Sequence, residues 1–252
     1  MCSIQSAPLH HFEPNPTPTN TTQLQGANIP MHNTTKMAVA AVVLATAGLS
    51  VSQAGWVNNG QYPWGSSTHN GNVYMVTSAV ASVPGGYRIT ASQPGLNGKK
   101  YRSGVIYESN TLKLRSNKAI GAQAYVSAPT AKGTWPAFWI TTLGGWTGEV
   151  DIAEWKGSGT VWQNTYDGGW ENYTRNSNNT MYKTHIQAKN DGTNHAWVWL
   201  YINNAWSATH TGNNFVGKDW WIIANLQMEG SSGSPGPASA QVTFTSMSAW
   251  GF

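Results

Sequence analysis

Three carboxylates fall within six consecutive positions, in Gly148-Glu149-Val150-Asp151-Ile152-Ala153-Glu154. The residues between them are β-branched or small and apolar, so the segment reads as a strand carrying acids rather than an acidic loop. Side chains two apart on a strand share a face, which groups Glu149 with Asp151 and leaves Glu154 one residue out of step. A β-bulge between Asp151 and Glu154 would absorb the extra residue and bring all three to one surface. Neighbouring carboxylates oppose joint ionisation, so each raises the proton affinity of the others. Cleavage of a glycosidic bond with retention uses such a pair, one carboxylate as nucleophile and one as proton donor, roughly 5–5.5 Å apart. Extended backbone sets the Cα atoms of Glu149 and Glu154 roughly 13–16 Å apart. The two long side chains must therefore lean together across a concave strand. The competing reading is a strand-face ion network in which Lys156 and similar cations neutralise the acids.

Aromatic residues crowd this segment. Trp135, Trp139 and Trp146 precede it, and Trp155, Trp162 and Trp170 follow. A flat indole packs against the C–H face of a sugar ring and loses little side-chain entropy in doing so. Trp139 and Trp146 are the first candidates for such platforms, with Trp135 and Trp162 beside them, while other tryptophans must fill the core.

The elements that position these residues read as strands. Period-two alternation is visible over 72–77, 87–92, 121–126, 161–166, 195–202 and 241–247. Turn signals such as Pro84-Gly85-Gly86, Asn97-Gly98, Asp191-Gly192 and Asn203-Asn204 separate the strands. No long amphipathic helix is visible. Charged residues make up only 10% of the chain, against 27 glycines and 14 tryptophans, which fits antiparallel strands joined by polar loops. Many short strands with regular turns predict a two-sheet sandwich or a barrel.

Residues 1–36 are rich in Pro, Thr, Asn and Gln and read as a disordered extension or an overlong start to the coding sequence. Residues 37–54 follow Lys36 with an apolar run, Ala38 to Leu49, and the small residues Ser52 and Ala54, a signal-peptide pattern with cleavage before Gly55. The run is too short to span a bilayer, and a secreted, extracellular protein is expected. All the tryptophans lie in 55–252 with no further shift of composition, so this segment reads as one domain. The single cysteine, Cys2, lies outside it, and a domain of this size needs no disulfide. Asn172-Tyr173-Thr174 and Asn178-Asn179-Thr180 are glycosylation sequons.

These residues resemble glycoside hydrolase family 16, the group of laminarinases, lichenases, agarases and related endo-acting enzymes. The acidic motif is similar to the bulged Glu-x-Asp-x-x-Glu form of the β-1,3-active members. Tyr101-Arg102-Ser103-Gly104-Val105-Ile106, Trp135-Pro136-Ala137-Phe138-Trp139-Ile140 and Ile222-Ile223-Ala224-Asn225-Leu226 resemble three further strands of the family. The resemblance implies an all-β jelly roll, a sandwich of two antiparallel sheets with a concave substrate cleft. It implies Glu149 as nucleophile, Glu154 as acid/base and Asp151 as the assisting carboxylate. Asn164 stands on the next strand, where many laminarinases carry a histidine, and is taken as a substrate contact. A β-1,3-glucan is the first expectation for the substrate and a β-1,3-galactan, as in an endo-β-1,3-galactanase, the second.

A non-catalytic lectin-like module would carry the aromatic platforms but has no use for paired carboxylates, and a lyase would leave the acidic trio unexplained. A transglycosylase would share the same intermediate. The formal charge of +4 comes from scattered residues; Lys99-Lys100 with Arg102 is the nearest approach to a patch and reads as a solvated loop, so no nucleic-acid partner is expected. No membrane partner is expected, and the polysaccharide is the partner of a protein expected to be a monomer. No catalytic metal or cofactor is expected, although some relatives carry a structural calcium. His69, His195 and His210 lack the partner spacing of a zinc site. Asp219 reads as a turn residue, and Glu229 is a candidate for the cleft rim.

Overall fold

The computed structural model describes residues 55–142 and 147–251. The leader and signal-peptide assignments, and Trp146, lie outside the described residues. The described chain is built of strands, with two short 3-10 turns at Thr77–Ala79 and Gly230–Ser232.

One sheet has eight strands, in the order Trp56–Val57, Val105–Glu108, Asp219–Met228, Thr134–Thr142, Glu149–Trp155, Thr160–Tyr166 and Trp170–Asn176, with Leu112–Lys113 beside Asp219–Met228. The other has nine: Ala205–Gly212, Ala196–Ile202, Thr180–Ala188, Ala119–Ser127, Ser239–Gly251, Gly86–Ser92, Tyr101–Ser103 and Val73–Met75, with Val80–Val83 beside Gly86–Ser92. Pairing is antiparallel except between Val73–Met75 and Tyr101–Ser103. This is the expected all-β jelly roll. The six alternating segments read from the sequence all contain strands. The Tyr101-to-Ile106 segment is not one strand, however: the chain leaves the nine-stranded sheet after Ser103 and joins the other at Val105.

Alternation sorts side chains between the core and the outer faces. Val150, Ile152, Phe138, Ile140, Ile222 and Ala224 are fully buried and meet Ile186, Val198, Leu200, Val126 and Phe244 from the facing sheet. Phe138 touches Phe244 across the layers, with ring centroids 6.4 Å apart. The Glu149–Trp155 strand shows how burial sets register. Val150 and Ile152 point into the core, and so does Trp155, whose ring meets Tyr182 edge-on at 5.2 Å. A regular strand would send Trp155 to the face opposite Ile152 and drive Glu154 inward, at a cost of several kcal/mol for an unpaired buried charge. The bulge avoids both.

Candidate active site

The register of Glu149–Trp155 against Thr160–Tyr166 shifts between Asp151 and Glu154, and against Thr134–Thr142 between Asp151 and Ala153. That is the bulge expected from the spacing. It frees the Ile152 carbonyl from the ladder, and a buried carbonyl needs a donor. Gln163 supplies one: its amide donates to Ile152 O at 2.8 Å, and its own oxygen accepts from Ser207 Oγ at 2.5 Å. Gln163 is wholly buried, so the irregularity is pinned from the facing sheet.

With the bulge in place Glu149, Asp151 and Glu154 line one cleft of about 280 Å³, together with His69, Asn70, Trp135, Lys156, Trp170 and Ser231. Glu154 is tethered through both of its oxygens. Trp135 Nε1 donates to its Oε1, and its Oε2 accepts from Asn164 Nδ2 at 3.2 Å and pairs with Lys156 Nζ at 3.0 Å. Asn164 also donates to Asp151 Oδ2 at 2.9 Å, so one amide bridges two carboxylates. Burial raises the Asp151 carboxyl well above the ordinary carboxylate range, and the charges of Glu154 and Glu149 push the same way. Asn164 and Lys156 oppose them. Burial and the two neighbouring charges thus make Asp151 hold its proton more tightly than an ordinary aspartate. Both sequence-level readings of the acids are partly realised: Lys156 does pair with one, yet the trio stays open to a cleft.

Two loops close around the carboxylates, and neither was legible in the sequence. The first carries His69 and Asn70. Its His69 ring lies parallel to Trp139 (15°, 5.9 Å between centroids), and burial lowers its pKa so that it is neutral at pH 7. Trp64 packs edge-on against both rings and stacks on Tyr62 at 4.8 Å. The second loop, Gly230–Ser232, brings Ser231 to the cleft. Gly230 has φ +64, and a Cβ there would lie 2.9 Å from the Trp135 ring, so only glycine fits.

Glu229, a candidate for the cleft rim, ties these loops together. It adopts φ 61 and ψ −148, a conformation costly for a residue with a side chain and kept only where surroundings enforce it. Its carboxylate accepts from Lys100 Nζ at 2.7 Å, Asn72 Nδ2 at 3.1 Å, Tyr101 Oη at 3.3 Å and Gly236 N at 3.2 Å. Lys100 chiefly holds the Glu229 pKa down at about 2. Lys100 lies in the partly exposed loop expected from its sequence context, with its ammonium paired to Glu229.

The remaining candidates separate. Trp135 lines the cleft. Trp139 is buried beneath His69 and donates to Asn225 Oδ1 at 2.7 Å, making it a floor rather than an open platform. Trp162 lies outside the cleft lining, with the Lys156 ammonium 5.0 Å from its ring. Asn164 contacts the carboxylates themselves. Trp170 is exposed at the cleft edge, while Trp155 belongs to the core. His210 is buried and bonded to Thr165 Oγ1 at 3.0 Å, and Asp219 opens a strand 3.9 Å from Lys113. Among the described residues no group of three His, Cys, Asp or Glu side chains could hold a metal ion.

The sequence profile of the glycosyl hydrolases family 16 matches residues 80–212. A galactan endo-β-1,3-galactanase from Flammulina velutipes is 32% identical over 231 residues, covering 81% of this chain and 87% of that protein. The chain belongs to glycosyl hydrolase family 16. It is an endo-acting β-glycosidase built on that family's jelly roll. Solved structures share the fold: the catalytic domain of an endo-1,3-β-glucanase (laminarinase) from Thermotoga petrophila RKU-1 superposes with TM-score 0.59 at 18% identity, covering 77% of this chain and 90% of that one. An endo-1,3-β-glucanase from Streptomyces sioyaensis gives 0.56 at 19% identity, covering 76% and 89%.

Proposed function

We propose that the protein hydrolyses β-1,3-linked galactan within the chain, with retention of configuration, using Glu149, Asp151 and Glu154. The observation that carries this is the bulge, which turns a strand with mismatched spacing into one wall bearing three carboxylates. Glu149 attacks the anomeric carbon as Glu154 gives its proton to the departing glycosidic oxygen. A covalent glycosyl–enzyme forms and the leaving chain diffuses away. Glu154, now ionised, takes a proton from water as the water's oxygen attacks the same carbon, and Glu149 is released. Asp151, whose proton is held more tightly by burial and by its charged neighbours, donates a hydrogen bond to Glu149 and steadies its charge between the two steps.

Galactan ranks ahead of glucan because the galactanase relative matches at 32% identity, against 18–19% for the two glucanases. Trp135, Trp170 and His69 are assigned to the sugar, with Lys156 leaving Glu154 to contact the substrate when the cleft fills. Secretion is supported by the signal-peptide pattern over 37–54. Asn172 lies on the exposed outermost strand of its sheet and is the better of the two sequons for a glycan; the Asn178 amide is bonded both ways to the Ala128 backbone.

The test is release of new reducing ends from β-1,3-galactan, laminarin, lichenan and agarose, with Glu149→Gln as control. Cleavage of galactan by the wild type alone is expected. Equal activity in Glu149→Gln would overturn the site, and preferential cleavage of laminarin would overturn the substrate.

A further inference from the structure

The face of the nine-stranded sheet that points away from the core holds a second concentration of aromatic residues. Along Ala196–Ile202, Ala196, Val198, Leu200 and Ile202 enter the core, and Trp197, Trp199 and Tyr201 point outward. Their spacing along the strand is roughly 6.8 Å per step. Trp206, on the next strand, pairs with Tyr201 and extends the row. Trp197 is 41% exposed and Trp206 64%, among the largest apolar exposures of the described residues. Soluble proteins seldom leave such a cluster open without a use for it.

The charges on this sheet differ from those at the cleft. Its nine strands contain no Asp or Glu, but carry Arg88, Arg102 and Lys183. Lys183 Nζ lies 4.8 Å from the Tyr201 ring centroid, and Lys189, just beyond its strand, has Nζ 3.7 Å from that of Trp197. An ammonium resting on a ring keeps N–H groups free to meet an anion. The nearby carboxylates are engaged: Asp191 accepts from Thr193 N at 2.9 Å and Glu171 from Thr211 N at 3.1 Å. The outward residues beside the aromatics on Thr180–Ala188 are Lys183, His185 and Gln187, with no Leu, Ile or Val among them. That mixture suits a hydroxyl-rich ligand better than an apolar protein surface. A nucleic-acid strand, with a phosphate at every residue, would call for a denser row of cations.

We propose that this outer face is a second glycan-binding surface for an acidic polysaccharide, with sugar rings on Trp197, Trp199, Tyr201 and Trp206 and uronate carboxylates on Lys183 and Lys189. It lies on the opposite side of the sandwich from the cleft, so it would hold the enzyme on a polymer while the cleft engages and releases chains. The surface stands apart from the cleft, and only the choice of galactan probes rests on the proposed substrate.

The experiment is affinity electrophoresis of the Glu149→Gln protein through gels containing a uronate-substituted β-1,3-galactan or the same polymer carboxyl-reduced, with a short galacto-oligosaccharide present to fill the cleft. Adding Trp197→Ala and Trp206→Ala should weaken retention at least fivefold. In the otherwise wild-type enzyme the same pair should leave cleavage of short oligosaccharides within twofold, showing that fold and cleft are intact. Lys183→Ala with Lys189→Ala should weaken retention by the native polymer and not by the reduced one. Unchanged retention in the tryptophan pair overturns the surface. Equal loss on both polymers in the lysine pair overturns its acidic specificity, and tighter retention by a single-stranded oligonucleotide overturns the glycan assignment.

Discussion

Replacing Asp151 by asparagine tests whether a buried neutral acid lies at the centre of the trio. The residue is 4% exposed, and its raised pKa is caused first by burial and then by the charges of Glu154 and Glu149. In the unfolded chain the same group ionises near its ordinary value. Between those two values the folded state holds a proton that the unfolded state has lost, so stability falls as pH rises through the window. Asparagine keeps the shape, can still accept from Asn164 through its carbonyl, and cannot ionise. Asp151→Asn should therefore be as stable as wild type at low pH and more stable at and above neutral pH. The gain is about 1.4 kcal/mol for each pKa unit removed, or roughly 3–6 °C in Tm for a domain of this size. Activity should move the other way. The amide still offers a donor to Glu149 but cannot exchange a proton with its neighbours. A hydrogen bond to a charged group is worth about 1.5–3 kcal/mol, so Asp151→Ala should lose about 10- to 150-fold in kcat and Asp151→Asn less. The assay is thermal unfolding of both proteins at pH 5, 7 and 9 alongside kcat on galactan. A stability difference that does not widen with pH, or an asparagine variant less stable at pH 9, would refute the neutral-acid assignment.

Gln163→Leu removes the donor to the Ile152 carbonyl and should cost about 1–3 kcal/mol for the stranded polar group; kcat should fall with KM little changed, because Glu154 depends on the bulge, and denaturant unfolding with steady-state kinetics measures both. Glu229→Gln should lower stability by about 1–2 kcal/mol at pH 7, since Lys100 is partly exposed and its pairing is screened. Because the Glu229 pKa is depressed from 4.5 to about 2, that stabilisation is present above pH 4.5 and lost as pH falls toward 2, so unfolding curves of variant and wild type should converge there. Glu154→Ala should recover turnover with azide on a galactoside whose leaving group needs no proton, read as a glycosyl azide product; failure of rescue together with rescue of Glu149→Ala would exchange the two roles.

Much of the site could be read from the chain because strand chemistry is local. Period two places Glu149 and Asp151 on one face, and Glu154, one residue out of step, calls for one inserted residue between the acids. The composition, the turns and the alternating segments likewise lead to a two-sheet sandwich or a barrel without reference to distant contacts, and the family resemblance points to the sandwich. What pins the bulge could not be read, because Gln163 acts through Ser207 of the other sheet, 44 residues away. Nor could the loop of His69 and Asn70 or the turn at Ser231. Irregular backbone has no period to detect, and its position depends on Glu229 gathering donors from residues 129 and 157 positions earlier. The tryptophans divide for the same reason. Trp139 and Trp155 are alike as letters, and only the packing of the sheets and loops decides that one floors the cleft and the other fills the core. The identity and order of the proposed catalytic groups are thus written in six consecutive residues, while the raised proton affinity of Asp151 and the shape of the cleft come from the burial and charge that the assembled fold places around them.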